Sequence, residues 1–203
     1  LSGISSCRND IYLKSWYYIL IKAIAKTITP RQEEIMEILR AEPSDTNEIH
    51  HIMSLASSLL DDKGWYCTDT EDYILEHIAD RHKGIVFKAA HQGRIGAFFI
   101  IHYPGGGDDN LGHYVHLEKE ELQKVAYMDS LAVLPDFRGK GLQYELMKHG
   151  EDYLASTPYC HLMGTVHPDN LYSLNNFLRL GFKIADTTVK YGSLPRHIMY
   201  KKI

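Results

Sequence analysis

Residues Met128–Met147 read MDSLAVLPDFRGKGLQYELM. Val125–Leu134 predicts a long strand that stops at Pro135, and Gly141–Ser156 predicts a helix. The turn between them holds Arg138-Gly139-Lys140-Gly141. This arrangement predicts an anion site. The first N–H groups of a helix have no partner within it and point at whatever lies before it. Glycines let a backbone approach a phosphate closely, and Arg138 and Lys140 add positive charge. Two common nucleotide motifs are absent. No GxxxxGK[ST] pattern occurs, and a dinucleotide fingerprint starting at Gly139 would need glycine where the chain has Tyr144.

Upstream, Ile35–Ala41 predicts a strand, and Pro43-Ser44-Asp45 opens a helix with Asp45 and Glu48 as its capping pair. The apolar face of that helix holds Ile49, Ile52, Met53, Leu55, Ala56, Leu59 and Leu60. Thr70 opens a second helix, with Tyr73, Ile74, His77 and Ile78 at spacings of three and four. Ile85–Ala90 and Arg94–His102 predict a hairpin across His91-Gln92-Gly93. Pro104–Asn110 is a loop, and Leu117–Lys124 predicts a short charged helix. Downstream, Cys160–Val166 is a strand and Asn170–Leu180 a helix ended by Gly181. Lys183–Lys190 and His197–Lys202 are the last strands. The order β-α-α-β-β-β-α-β-α-β-β describes a mixed α/β domain without internal repeats.

The chain has 203 residues, with 22 Lys+Arg against 26 Asp+Glu, a net charge of −4. The mild acidity argues against a broad basic surface, so no nucleic-acid partner is expected. No run reaches the roughly 18 apolar residues of a membrane span, so no membrane partner is expected either. Cys7, Cys67 and Cys160 are too few and too scattered for a disulfide framework and point to a reducing compartment. Residues 1–35 differ from the rest. They carry five basic and three acidic residues, and the apolar run Trp16–Ile21 is cut by Lys22. Ala23-Ile24-Ala25 mimics a signal cleavage site, but so short an apolar core makes export the weaker reading. Residues 1–35 are therefore expected to be an extension, native or upstream of a start at Met36, and residues 36–203 the domain. The domain alone carries −6.

The turn resembles the acetyl-CoA motif [Q/R]-x-x-G-x-[G/A] of the GNAT superfamily of N-acetyltransferases, which follows a strand ending in Val-x-Pro. Val133-Leu134-Pro135, Arg138 and Gly141 match, whereas Gln143 stands where the family has Gly or Ala. Val166-His167-Pro168-Asp169-Asn170, then Ser173, Phe177 and Leu180-Gly181-Phe182, resembles the family's next strand-to-helix motif, and Met199-Tyr200-Lys201 its closing strand. The resemblance spans about Ile35 to Ile203. It implies the GNAT fold, a central, mostly antiparallel sheet that splays between its fourth and fifth strands, with flanking helices.

The resemblance further implies transfer of an acetyl group from acetyl-CoA to a primary amine of a small molecule or an amino-acid-like acceptor, without a metal. Leu131, Ala132 and Val133 would offer backbone groups to pantetheine. Arg138, Gly139, Lys140, Gly141, Leu142 and Gln143 would hold the pyrophosphate, with Asn170, Ser173 and Phe177 beside the cofactor arm. A backbone N–H near Val133 would serve as oxyanion donor. A cytoplasmic location follows from CoA use, and homodimers are common in the family. Many members carry a tyrosine acid where this chain has Phe177, leaving Tyr172 as a substitute five residues away. Asp129, in phase with Leu131 and Val133 on its strand, is the candidate base, or else a structural carboxylate. Phe177 and Gln143 keep a second reading open, a regulatory module that holds CoA without turnover. Twelve histidines include His113-x-x-His116, and Cys160-His161 are adjacent, but no recognised zinc spacing occurs. His167 would lie near the acceptor or serve as a turn residue. Leu60–Thr70 and Pro104–Lys124 are the expected acceptor loops, with Tyr103, Tyr114 and Tyr127 lining or packing.

Overall fold

The computed structural model describes residues 35–203, so the extension expected over residues 1–35 lies outside the described residues except for Ile35. Among these residues the strands are β1 (Glu37–Arg40), β2 (Gly84–His91), β3 (Arg94–His102), β4 (Val125–Val133), β5 (His161–Val166), β6 (Lys183–Lys190) and β7 (Leu194–Lys202). The helices are α1 (Thr46–Ser58), α2 (Glu71–Ala79), α3 (Lys119–Leu122), α4 (Leu142–Leu154) and α5 (Leu171–Arg179). The strands form one sheet in the order β1-β2-β3-β4-β5-β7-β6. Every pairing is antiparallel except that of β4 with β5. The mixed class expected from the sequence is the one observed. No helix of the described residues is long and apolar enough to cross a membrane.

β3 seeds two cores. Successive strand residues point to opposite faces. Phe98 and Ile100 pack with Ile49, Ile52 and Met53 of α1 and Ile74 of α2. Phe99 and Ile101 pack with Leu146 and Leu154 of α4 and Phe177 of α5. Helices thus cover both faces, and β3 is buried from Ile95 to Ile101.

Local signals mostly hold. Gln92 and Gly93 both take positive φ, the geometry of a tight two-residue hairpin. Thr70 caps α2 by accepting from the Tyr73 N–H. Gly181, at φ +86°, ends α5, with Phe182 N–H donating to the Phe177 carbonyl. The Asp45–Glu48 capping pair does not form. Asp45 accepts from Lys88 at 2.6 Å and from the Glu42 N–H at 2.7 Å. Glu48 accepts from the Ile95 N–H. Leu59 and Leu60, expected on the buried face of α1, fall beyond its end. β7 starts at Leu194, three residues before the expected His197, because a turn at Tyr191 and Gly192, both at positive φ, reverses the chain early.

Two irregularities in β4 create the site. Its ladder with β5 joins only Val125–Tyr127 to His161–Met163. Beyond that, β4 continues to Val133 and β5 to Val166 without pairing to each other. The ladder with β3 contains a bulge, since Ile100 pairs with Ser130 and Ile101 with Met128. Asp129 is the extra residue. A bulge breaks the period of two, so Asp129 does not share the phase of Leu131 and Val133, as the sequence pattern suggested. It joins Ser130 in facing the tyrosines around α2.

The α4–β3 contact depends on Gly150, where a Cβ would lie 2.6 Å from the Phe99 ring and 2.9 Å from Ile101. We expect Gly150→Leu to lower stability by about 1–3 kcal/mol; an unchanged urea midpoint would contradict this packing.

Candidate active site

The fork between β4 and β5 opens into a cleft of about 660 Å³. Its walls come from β4, the turn after it, the start of α4, the end of β5, α5, and the segment after α1. The backbone register shows what β4 presents. Leu134 N–H donates to the Gly96 carbonyl at 2.9 Å, which sets the parity of the antiparallel ladder. The hydrogen-bonded pairs are then Ala132 with Phe98 and Ser130 with Ile100. Leu131 and Val133 turn their backbone N–H and C=O groups away from β3, into the fork. Arg138 Nε donates to the Val133 carbonyl at 3.2 Å.

The turn after β4 requires glycine. Gly139 and Gly141 sit at φ +76° and +75°, and an added Cβ at either would meet nothing within 4 Å. Backbone conformation, not crowding, selects glycine here, and the space in front of α4 is open. The first N–H groups of α4 lack intrahelical partners and face this space. Gln143 does not crowd it. Its Nε2 donates to Ser173 Oγ at 3.3 Å, linking the starts of α4 and α5. Asn170 caps α5 by accepting from the Ser173 N–H at 3.2 Å.

Of the residues expected from the sequence, Asp129, Leu131, Ala132, Val133, Arg138, Gly139, Gly141, Leu142, Gln143, Asn170, Tyr172, Ser173 and Phe177 line this one cleft. Lys140 does not; its ammonium lies 5.1 Å from the centre of the Phe137 ring, because the αL glycines on either side rotate it away. Tyr172 stands on the rim, 81% exposed. Phe177 is buried edge-on against Phe182 and forms part of the cleft floor.

Asp129 is exposed on its cleft side, while the protein packed around it lowers the hydration of its carboxylate. Burial pushes its pKa from 3.8 up to about 7. Tyr73 Oη donates to Asp129 Oδ2 at 2.8 Å and opposes the rise, while the charge of Asp69 adds to it. Tyr66 and Ser130 share a hydrogen bond of 2.5 Å beside it. Burial raises the pKa of Tyr66 and Tyr73, so both hydroxyls stay protonated. Under Tyr73, His77 Nδ1 donates to the Tyr73 carbonyl at 2.7 Å, and His77 Nε2 meets His102 Nδ1 at 2.8 Å. Desolvation, reinforced by His77, pushes His102 down to about 4, so this pair is neutral at physiological pH.

The sequence missed Tyr73, Tyr66 and Trp65. Tyr73 fits the apolar stripe of α2; the available signal was that a buried phenol needs a hydrogen-bond partner. Trp65 lines the cleft, stacks near His167 at 6.3 Å, and buries an indole N–H without a partner. His167 is itself buried and accepts from the Asp169 N–H. Leu60, Asp61, Trp65 and Tyr66 belong to the first expected acceptor loop. No lining residue comes from the second, Pro104–Lys124. Asn110 ties that loop down through the Gly105 and Leu122 carbonyls and the Gly112 N–H. Tyr103 stacks on Tyr159, Tyr127 accepts from the Leu111 N–H, and Lys190 lies over the Tyr114 ring.

Among the described residues, Glu121, Cys160 and His161 have potential metal-ligand atoms within 4.8 Å of one another. They lie at the paired end of β4 and β5, opposite the fork. His161 hydrogen-bonds to both Glu121 and Tyr200, and Lys124 pairs with Glu121, so the imidazole and the carboxylate already have protein partners. His113 bonds instead to the Gly107 carbonyl.

No curated protein matches this sequence. Solved structures do resemble it. The ribosomal-protein-S18-alanine N-acetyltransferase of Escherichia coli is 20% identical, with TM-score 0.63, covering 83% of this chain and 94% of its own. A Salmonella typhimurium protein described as an acetyltransferase, solved with its cofactor acetyl-CoA, is 18% identical with TM-score 0.64, again covering 83% and 94%. A ribosomal-protein-alanine N-acetyltransferase from Brucella melitensis is 15% identical with TM-score 0.63, covering 82% and 99%. At these identities the likeness concerns the fold. A family model described as the Acetyltransferase (GNAT) family matches residues 36–182. With the forked sheet and the glycine turn in place on that matched segment, the chain belongs to the GNAT family of acetyltransferases.

Proposed function

We propose that this protein moves the acetyl group of acetyl-CoA to the primary amine of a small molecule within a ternary complex. One observation carries the reading: the β4–β5 fork, the Gly139–Gly141 turn and a carboxylate poised near neutrality meet in a single cleft. The residues fit the cofactor. The backbone groups of Leu131 and the Val133 N–H turn into the fork, which suits the amides of pantetheine. The N-terminal amides of α4 and the Arg138 guanidinium suit a pyrophosphate. Asn170, Ser173 and Phe177 flank the arm, and Lys140 adds charge at longer range.

Acetyl-CoA supplies a thioester carbonyl open to nucleophilic attack. The Val133 N–H is a donor for the carbonyl oxygen as negative charge develops there. Asp129 takes the proton that the amine sheds as its nitrogen bonds to the acetyl carbon. The C–S bond breaks and the sulfur departs as thiolate. A thiol of pKa near 8.5 tolerates this, so a phenylalanine at position 177 is compatible with turnover.

Incubation with acetyl-CoA and a panel of amines should release free thiol. Binding without release from any amine would favour the CoA-holding regulatory module, and absence of binding would refute the reading. Arg138→Ala should weaken acetyl-CoA binding about tenfold in calorimetry, consistent with loss of a charge-assisted contact. Asp129 is a base only when ionised, so kcat/KM should fall as pH drops below about 7. Asp129→Asn should lower kcat/KM at least about tenfold and remove that limb; equal rates across pH would exclude Asp129. Tyr73→Phe removes a donor that favours the carboxylate, so the limb should move to higher pH, and a limb that stays in place would show Tyr73 to be uninvolved.

A further inference from the structure

Among the described residues that line the cleft, the charged ones are Asp61, Asp129 and Arg138. Arg138 belongs to the glycine-turn end and bonds the Val133 carbonyl. At the fork stands Asp129, with Asp69 close enough to act on it electrostatically. Asp61, exposed, lies on the wall segment that carries Trp65 and Tyr66. Two cations carried by or bonded to this wall segment are engaged elsewhere: Lys63 Nζ donates to the Ser57, Ser58 and Leu60 carbonyls, and Arg196 is turned away. Arg196 is 3% exposed and does not line the cleft. Its Nη1 donates to the Pro195 carbonyl at 2.9 Å, and its Nη2 to the Gly64 carbonyl at 2.7 Å and to Cys67 Sγ at 3.7 Å. The remaining wall near Asp129 is uncharged and largely aromatic: Trp65, Tyr66 and Thr165.

We infer that the acceptor is a cationic amine with an aromatic or apolar body and no carboxylate of its own. The inference rests on the N-acetyltransferase reading and narrows its acceptor class. An ammonium group entering the Asp129 end is attracted by Asp129 and gives up one proton to solvent before its nitrogen attacks; the rings of Trp65 and Tyr66, beside the exposed Asp61, suit both a cation and an apolar body. A carboxylate on the acceptor would be desolvated beside the like charge of Asp129, and the one cation among the described lining residues, Arg138, belongs to the other end. Free amino acids are therefore disfavoured by the same walls that attract their decarboxylated counterparts.

Matched pairs test this, with thiol release and the acetylated product followed together. Phenethylamine and tyramine should exceed phenylalanine and tyrosine in kcat/KM by about a hundredfold, the order expected for one close like-charge contact in a partly screened site. Asp61→Asn should raise KM for tyramine severalfold at unchanged kcat and narrow the gap to tyrosine, and Asp61→Glu should restore both. Equal use of an amino acid and its decarboxylated partner would overturn the inference while leaving acetyl transfer intact. So would a preference for putrescine over tyramine, or an Asp61→Asn enzyme unchanged in KM and in selectivity. Acetyl-CoA binding without thiol release from either class would overturn the inference together with the catalytic reading.

Discussion

The hydrogen-bond ladder between β4 and β5 stops after three residue pairs, and the site follows from that interruption. Unpaired strand edges inside a sheet leave donors and acceptors without partners, which ordinarily favours closure or pairing with another chain. Here each strand is secured on its other side, β4 by β3 and β5 by β7. The fork can therefore stay open without loss of the sheet. The backbone groups it exposes are aligned like those of a missing strand, so an extended ligand with its own amides can take that strand's place.

The bulge at Asp129 works on the same strand in a different way. It turns two consecutive residues toward α2 and brings a carboxylate under tyrosines. Such a carboxylate is unfavourable to the fold. Its pKa is raised on folding, so its contribution to stability is lost as pH climbs from the unfolded value of 3.8 toward about 7. Above that range the folded protein holds a charge that the unfolded chain would hydrate more easily. Destabilisation of this kind is common where a side chain must exchange protons.

Much of this architecture was legible in the chain. Hydrophobic periodicity marked the strands and helices, and the glycines at 139, 141 and 181 marked turns that only αL geometry satisfies. The glycine turn also marked the end of the cleft proposed to take the pyrophosphate, because that pattern is local: amides, glycines and an arginine within six residues. The acceptor end was less legible because it is assembled over long range. Tyr73 and Asp129 meet across 56 positions. A tyrosine on an apolar stripe reads as core until its hydroxyl's partner is known. The bulge left no compositional trace, so the phase of Asp129 was misread. The family resemblance makes Pro104–Lys124 an acceptor loop, whereas in the structure none of it lines the cleft and Asn110 ties it to α3.

Arg196 has a further consequence. Its guanidinium, on β7, holds the Gly64 carbonyl across 132 residues of sequence. One wall of the cleft is thereby fastened to the last strand of the chain, which also lies between β5 and β6. During synthesis, β1 to β5 and the glycine turn emerge first, whereas the wall that carries Trp65 and Tyr66 gains its anchor only once residue 196 is available. The fork depends on the same strand, because β5 is held on its outer side by β7, so both ends of the cleft wait on the carboxy-terminal hairpin.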